Sequence, residues 1–231
     1  MENSLNRPFL MAGRFPVRHS IPVLLYMILQ LVPASFVYLF DTKAERALAL
    51  GWWLGIGYAV TVVVSYFCLR PDWQKWRKEG LQANLKETVK WILIGLALYY
   101  AFLILNGMIE AWLAGGIENI TRSENTDKLM ESIQFIPALP IMIVLLGPIV
   151  EEFLFRHILF GNLSARMSFF FSALVSGLVF SLMHLDNKVL IYVGLSFVFS
   201  FVFAKTRRIS APIILHVFNN GVAVFAFFAA S

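Results

Sequence analysis

Residues 136–156 read IPALPIMIVLLGPIVEEFLFR. Fifteen residues, Ile136 to Val150, pass without a charge, and Glu151, Glu152 and Arg156 follow directly. Such a run is either a buried core helix or a membrane span, and the rest of the chain decides between them. Similar apolar runs lie at 21–40, 47–69, 91–114, 168–185, 189–204 and 211–229. With this one taken as 134–155 there are seven, most near the roughly 20 residues a helix needs to cross a bilayer. Hydrophobic residues make up 59% of the 231 and charged residues only 14%. Soluble domains sit near 45–50% apolar and about 25% charged, so a soluble fold could not cover this surface. The expected fold is all-α, a polytopic transmembrane bundle of about seven spans, with an eighth as the alternative.

The net charge of +5 does not point to nucleic acid, because the basic residues sit in short segments between apolar runs. With the N-terminus inside, 14 of the 19 Lys and Arg fall on inner segments and 5 on outer ones. That bias fits the positive-inside rule and predicts a cytoplasmic N-terminus, an outer C-terminus and a plasma-membrane location. The first run is too long for the apolar part of a signal peptide. It carries Pro22 and Pro33, and it reads as an uncleaved anchor although Pro33-Ala34-Ser35 offers small residues for cleavage. The single cysteine, Cys68, lies in an apolar run and excludes a disulfide framework.

Three regions follow: a cytoplasmic segment 1–20, N-terminal spans with a basic loop over 21–132, and C-terminal helices over 133–231. Residues 70–90 carry Trp73 and Trp76 among six basic residues and read as an interfacial segment or a plain topogenic loop. Residues 115–133, with Glu118, Glu124, Asp127 and Glu131, read as a solvated outer loop.

Ionisable groups inside apolar helices are costly and mark functional sites. Three clusters qualify. Glu152 and Arg156 are four apart and can pair on one helix face. Glu151 is turned about 100° away and is available as a base; the bland reading is a span end with a snorkelling arginine. His184 follows Phe180 by one turn in the fifth run, where a structural histidine is the bland alternative. His216 and Asn220 share a face of the last run. Both can donate hydrogen bonds, while Asn219 points elsewhere; helix–helix glue is the alternative for all three. A base, a histidine and a donor pair are what hydrolysis requires. By the drawn spans, Glu151, His216 and Asn220 lie toward the inner face and His184 nearer the outer end, so one common site would require the fifth helix to start before 168 or sit deeper.

The ordered motifs EExxxR, FxxxH and HxxxN resemble those of the CPBP family, the Abi or type II CAAX membrane proteases, over about residues 133–229. The stretch Gly194 to Pro212 is also similar. The resemblance implies an intramembrane endopeptidase acting on a membrane-embedded or membrane-associated peptide or protein. Glu151 would activate water, His184 would hold it, and His216 and Asn220 would form the oxyanion site. Glu152 and Arg156 would support them. It implies a glutamate mechanism with no metal and no cofactor.

Rival readings come from other classes. A zinc enzyme could use His184, His216 and a glutamate, but no HExxH occurs. A serine mechanism would need a serine paired with a histidine, and Ser196 lacks the surrounding motif. An aspartyl dyad would need a second aspartate beside Asp186. A non-proteolytic immunity or regulatory protein of the same family is the non-enzymatic alternative. A transporter is disfavoured by the lack of half-chain repeats.

Overall fold

The computed structural model describes residues 15–33, 37–119, 133, 136, 139–184 and 188–230. These are helices and their connections, with no strand among the described residues. α1 is Ser20–Leu31, α2 Lys43–Lys78 and α3 Leu85–Ala114. α4 is the continuous helical stretch 139–163. α5 is Phe169–His184, α6 Val189–Thr206 and α7 Ser210–Ala230. Each of the seven apolar runs therefore carries helix. α2, α3, α6 and α7 are long and apolar enough to cross a membrane, and Val17–Leu31 and α5 are shorter apolar helices. The acidic residues expected in an outer loop at 124, 127 and 131, Asp186, Ala34, Ser35 and residues 1–14 lie outside the described residues.

The chain divides into two compact units, one of residues 13–81, 128–154 and 216–231, the other of residues 1–12, 82–127 and 155–215. The first contains α1, α2, the start of α4 and most of α7. Here α2 buries polar side chains among apolar ones and exposes an apolar stripe. Its buried positions are Thr61, Ser65, Leu69, Asp72 and Trp76. Trp52, Ile56, Val60, Val63 and Phe67 form an exposed stripe at the same helical spacing. That inversion suits a helix bathed in lipid, where apolar surface needs no cover. Gly51 and Gly55, one turn apart, let α2 approach closely: a Cβ on either would lie 2.9 Å from Ile136 or Met142. Gly57 does the same for α1, where a Cβ would lie 2.4 Å from Leu29. Ile133, Ile136, Leu139, Met142 and Val224 form a buried cluster.

In the second unit α3 and α6 run antiparallel. The Ala83 N–H donates to the Thr206 carbonyl at 2.9 Å at one end, and Lys188 pairs with Glu110 at 2.8 Å at the other. Between them Gly194 makes room for the Phe102 ring. α5 packs on α6 at Gly177, whose missing side chain admits Val193 and Ser196.

Two boundaries differ from the sequence reading. Residues 70–78 continue α2 through Pro71. Its 36 residues would extend about 54 Å, well past an apolar core of about 30 Å. Trp76 in that extension is buried and Trp73 packs its ring 5.5 Å from Phe153, so neither simply lies on a surface. The Asp72 carboxylate there holds His19 at 2.8 Å and also pairs with Arg18. The second difference is in α4. The charges at 151–156 do not end that helix, which runs on to Leu163 with Arg156, His157 and Phe160 fully buried. Residues 160–163 thus close α4, and α5 starts at Phe169.

Candidate active site

α4 is not a uniform α-helix. It widens to π-helical turns at Met142–Leu146 and again at Glu152–Phe160. Wide turns of this kind are rare and are frequently found at functional sites. The sequence supplies a cause for the first. Pro148 has no N–H and its ring crowds the preceding turn. The Gly147 N–H bonds to the Met142 carbonyl, five residues back.

Glu151 ends the α-helical turn between the two wide stretches, and Glu152 opens the second. Adjacent residues on a helix face different directions, yet both carboxylates reach His216 on α7. The Glu152 Oε1 is 2.8 Å from His216 Nδ1, and the Glu151 Oε2 is 3.6 Å from Nε2. An ionised carboxylate only accepts, so Nδ1–H donates to Glu152 and the other ring nitrogen faces Glu151. The two glutamates differ in access: the Glu152 side chain is 0% exposed and that of Glu151 is 14% exposed. Glu151 is thus the accessible carboxylate of the pair. His216 is itself buried between them.

Asn220 is one turn beyond His216. Its Nδ2 donates to the Ile143 carbonyl at 2.9 Å, and its Oδ1 accepts from Asn219 Nδ2 at 3.1 Å. Two tyrosines also belong here. Tyr26 of α1 and Tyr58 of α2 lie within electrostatic range of the Glu151 carboxylate. The Tyr58 hydroxyl accepts from Gln30 at 3.2 Å. No motif flags these tyrosines in the sequence; the only hint is a phenol in an otherwise apolar span.

Arg156 and His184 fall in the other unit, and both gather on Phe180. The Arg156 guanidinium lies 4.6 Å from the Phe180 ring centre and 5.1 Å from that of Phe199. The His184 ring is 4.4 Å from Phe180 and stacks on Tyr192 at 4.2 Å. His184 Nδ1 is 2.8 Å from the Phe180 carbonyl. A carbonyl cannot donate, so Nδ1 carries the proton, and Nε2 of the neutral ring is the acceptor. The phenylalanine in FxxxH therefore does two things: its carbonyl sets the histidine tautomer, and its ring takes the arginine.

The site can do acid–base chemistry with Glu151 and His216. It also has parts a metal could use, since a carboxylate orienting a histidine through Nδ1 is a common outer partner of a zinc ligand.

Comparison with known proteins agrees with the motifs. Residues 133–222 match the family described as Type II CAAX prenyl endopeptidase Rce1-like. The Bacillus subtilis (strain 168) protein named "Putative membrane peptidase YdiL" is 31% identical over 213 residues, 87% of this chain and 86% of that protein. The membrane-embedded CAAX protease MroQ of Staphylococcus aureus (strain USA300) is 32% identical over 155 residues, 62% of each chain. No solved structure matches the chain. The chain belongs to the type II CAAX, or CPBP, family of membrane proteases.

Proposed function

We propose that this protein is an intramembrane endopeptidase in which Glu151 activates the attacking water without a metal. The asymmetry of the two glutamates about His216 carries the proposal. Glu151 is the accessible carboxylate, and Glu152 is sealed and bonded to the imidazole. Glu151 takes a proton from water as the oxygen attacks the scissile carbonyl. The negative charge that develops on the carbonyl oxygen needs donors already in place. His216 supplies one from Nε2 when it is protonated, with Glu152 balancing its charge, and the amide of Asn220 supplies another. The proton on Glu151 passes to the leaving nitrogen as the C–N bond breaks, giving a carboxylate and an amine. The family resemblance gives His184 the water-holding role; within its own unit its Nδ1 bonds to the Phe180 carbonyl and Arg156 packs on the same phenylalanine ring. The substrate is a membrane-embedded or membrane-associated peptide or protein.

The test compares Glu151→Gln with Glu152→Gln in purified, detergent-solubilised protein on a membrane-peptide library. Glu151→Gln is expected to abolish cleavage. Glu152→Gln keeps a residue of the same shape and is expected to lose about 10–100-fold, the usual effect of removing an orienting partner. Equal activity of both variants and wild type would remove the mechanism.

The oriented His216 also favours a second reading, a zinc peptidase with His216 as a ligand. Loss of cleavage on chelation, restored by zinc, would establish it. A folded protein that cleaves nothing in the library would favour the immunity or regulatory role. A plasma-membrane location with an inner N-terminus belongs to the proposal, and reporter fusions at each terminus test it.

A further inference from the structure

The wide turn before Glu151 leaves one carbonyl without a helical partner. In an α-helix the Ile143 carbonyl would accept from the N–H of residue 147, and in a π-turn from that of residue 148. Gly147 gives its N–H to Met142. Residue 148 is proline and has none to give. A buried carbonyl without a donor is strongly unfavourable, above all where no water is at hand. The donor comes from another helix: Asn220 Nδ2 lies 2.9 Å from the Ile143 oxygen. The Asn219 amide donates to the Asn220 Oδ1 at 3.1 Å, which fixes which end of that side chain faces α4.

This bond joins two helices at the site. Ile143 is two turns before Glu151 on α4, and Asn220 is one turn after His216 on α7. The helix from Gly147 onward carries Glu151 directly above: a Cβ on Gly147 would lie 3.9 Å from the Glu151 Oε1. The same glycine is tight against the wide turn, with its Cβ position 3.2 Å from the Met142 oxygen.

We propose that Pro148 and Asn220 form a clamp, Pro148 by withholding the backbone donor from Ile143 and Asn220 by supplying it from α7, and that this clamp sets His216 against Glu151. Asn220 is then a positioning residue through Ile143, in addition to the donor role given to its remaining N–H. The inference rests on the glutamate reading of the site. It also links two separate sequence features, a proline five residues after Ile143 and an asparagine four residues after His216.

The test is a double-mutant cycle of Asn220→Ala and Pro148→Ala, read in kcat, KM and the thermal unfolding midpoint in detergent. Asn220→Ala orphans the Ile143 carbonyl and is expected to lower kcat roughly 10–100-fold with little change in KM. Pro148→Ala restores a backbone N–H at the π position and is expected to lose less than Asn220→Ala does. In the double variant the restored N–H replaces the lost amide. Its kcat and unfolding midpoint should rise above those of Asn220→Ala alone, by roughly tenfold in kcat. A role confined to the oxyanion gives no such rescue. A double variant no better than Asn220→Ala in both measurements overturns the clamp, as does an Asn220→Ala protein with normal kcat and midpoint. If Asn220→Ala does not fold, recovery of folded protein by Pro148→Ala supports the clamp and its failure overturns it. Glu151→Gln in the Pro148→Ala background separates the two ideas. Activity there defeats the glutamate reading, whereas absent rescue with Glu151 still essential defeats only the clamp.

Discussion

At the scale of the residue, the site turns on which nitrogen faces which oxygen. His216 has Glu152 at Nδ1 and Glu151 at Nε2, 2.8 and 3.6 Å away. His184 has a carbonyl at Nδ1. Each ring therefore has Nδ1 committed to structure, and His216 turns its Nε2 to Glu151. Phe180→Ala leaves the carbonyl but removes the ring against which His184 and Arg156 pack. Such a truncation of a buried aromatic is expected to lower stability by about 3–5 kcal/mol, checked by the unfolding midpoint in detergent. The chemically distinctive residues were legible in the sequence: Glu151, Glu152 and His216 do meet. What was not legible was the bond from Asn220 to Ile143, because a backbone carbonyl leaves no trace in a motif. Pro148 was the available signal, and it becomes informative only once the turn is known to be wide.

At the scale of the element, small residues decide where helices come close. Gly177 on α5 has Val193 Cα at 3.3 Å and Ser196 Cβ at 3.2 Å from where its own Cβ would be. One of these neighbours is backbone and cannot step aside. Gly177→Leu is expected to destabilise the protein by about 1–3 kcal/mol, seen as a lower unfolding midpoint. The start of α2 shows a different control. Thr42 and Glu45 form a reciprocal cap, and the Thr42 backbone and hydroxyl donors beside Glu45 hold its carboxyl below the usual carboxylate range. The cap's contribution is complete above the ordinary glutamate value and is lost as pH falls through the lowered one. Protection of the first-turn amides of α2 against exchange, taken relative to the intrinsic rate at each pH, should therefore fall as the pH drops through that lowered value. Helix existence was legible from apolar runs. The end of α4 was not, since the apolar run is drawn to residue 155 and Arg156 reads as the first residue beyond it, whereas the helix runs on to Leu163. Glu151, Glu152 and Arg156 are instead packed into a helix that continues, because their partners come from other parts of the chain.

At the scale of the whole molecule, the composition requires a lipid solvent and the surface shows one. Large apolar side chains such as Trp52, Ile56 and Phe67 on α2, Ile104 and Trp112 on α3, Phe170 and Leu182 on α5 and Phe225 on α7 stand exposed, while Glu152, Arg156, His157 and His216 are inside. The sequence revealed this inversion through its uncharged runs and through the few charges that interrupt them. It did not reveal that the 36-residue α2 continues beyond its apolar stretch to bury Asp72 and Trp76, since Pro71 and the basic cluster after it read as a loop.

The central claim is that Glu151, and not a metal ion, activates the water. It is tested most directly by cleavage of membrane peptides by wild type and Glu151→Gln, each with and without a strong chelator. Wild-type cleavage that survives the chelator, together with none from Glu151→Gln in either condition, is the expected result. A Glu151→Gln protein that cleaves as fast as wild type, or a wild type silenced by chelation and revived by zinc, would contradict it.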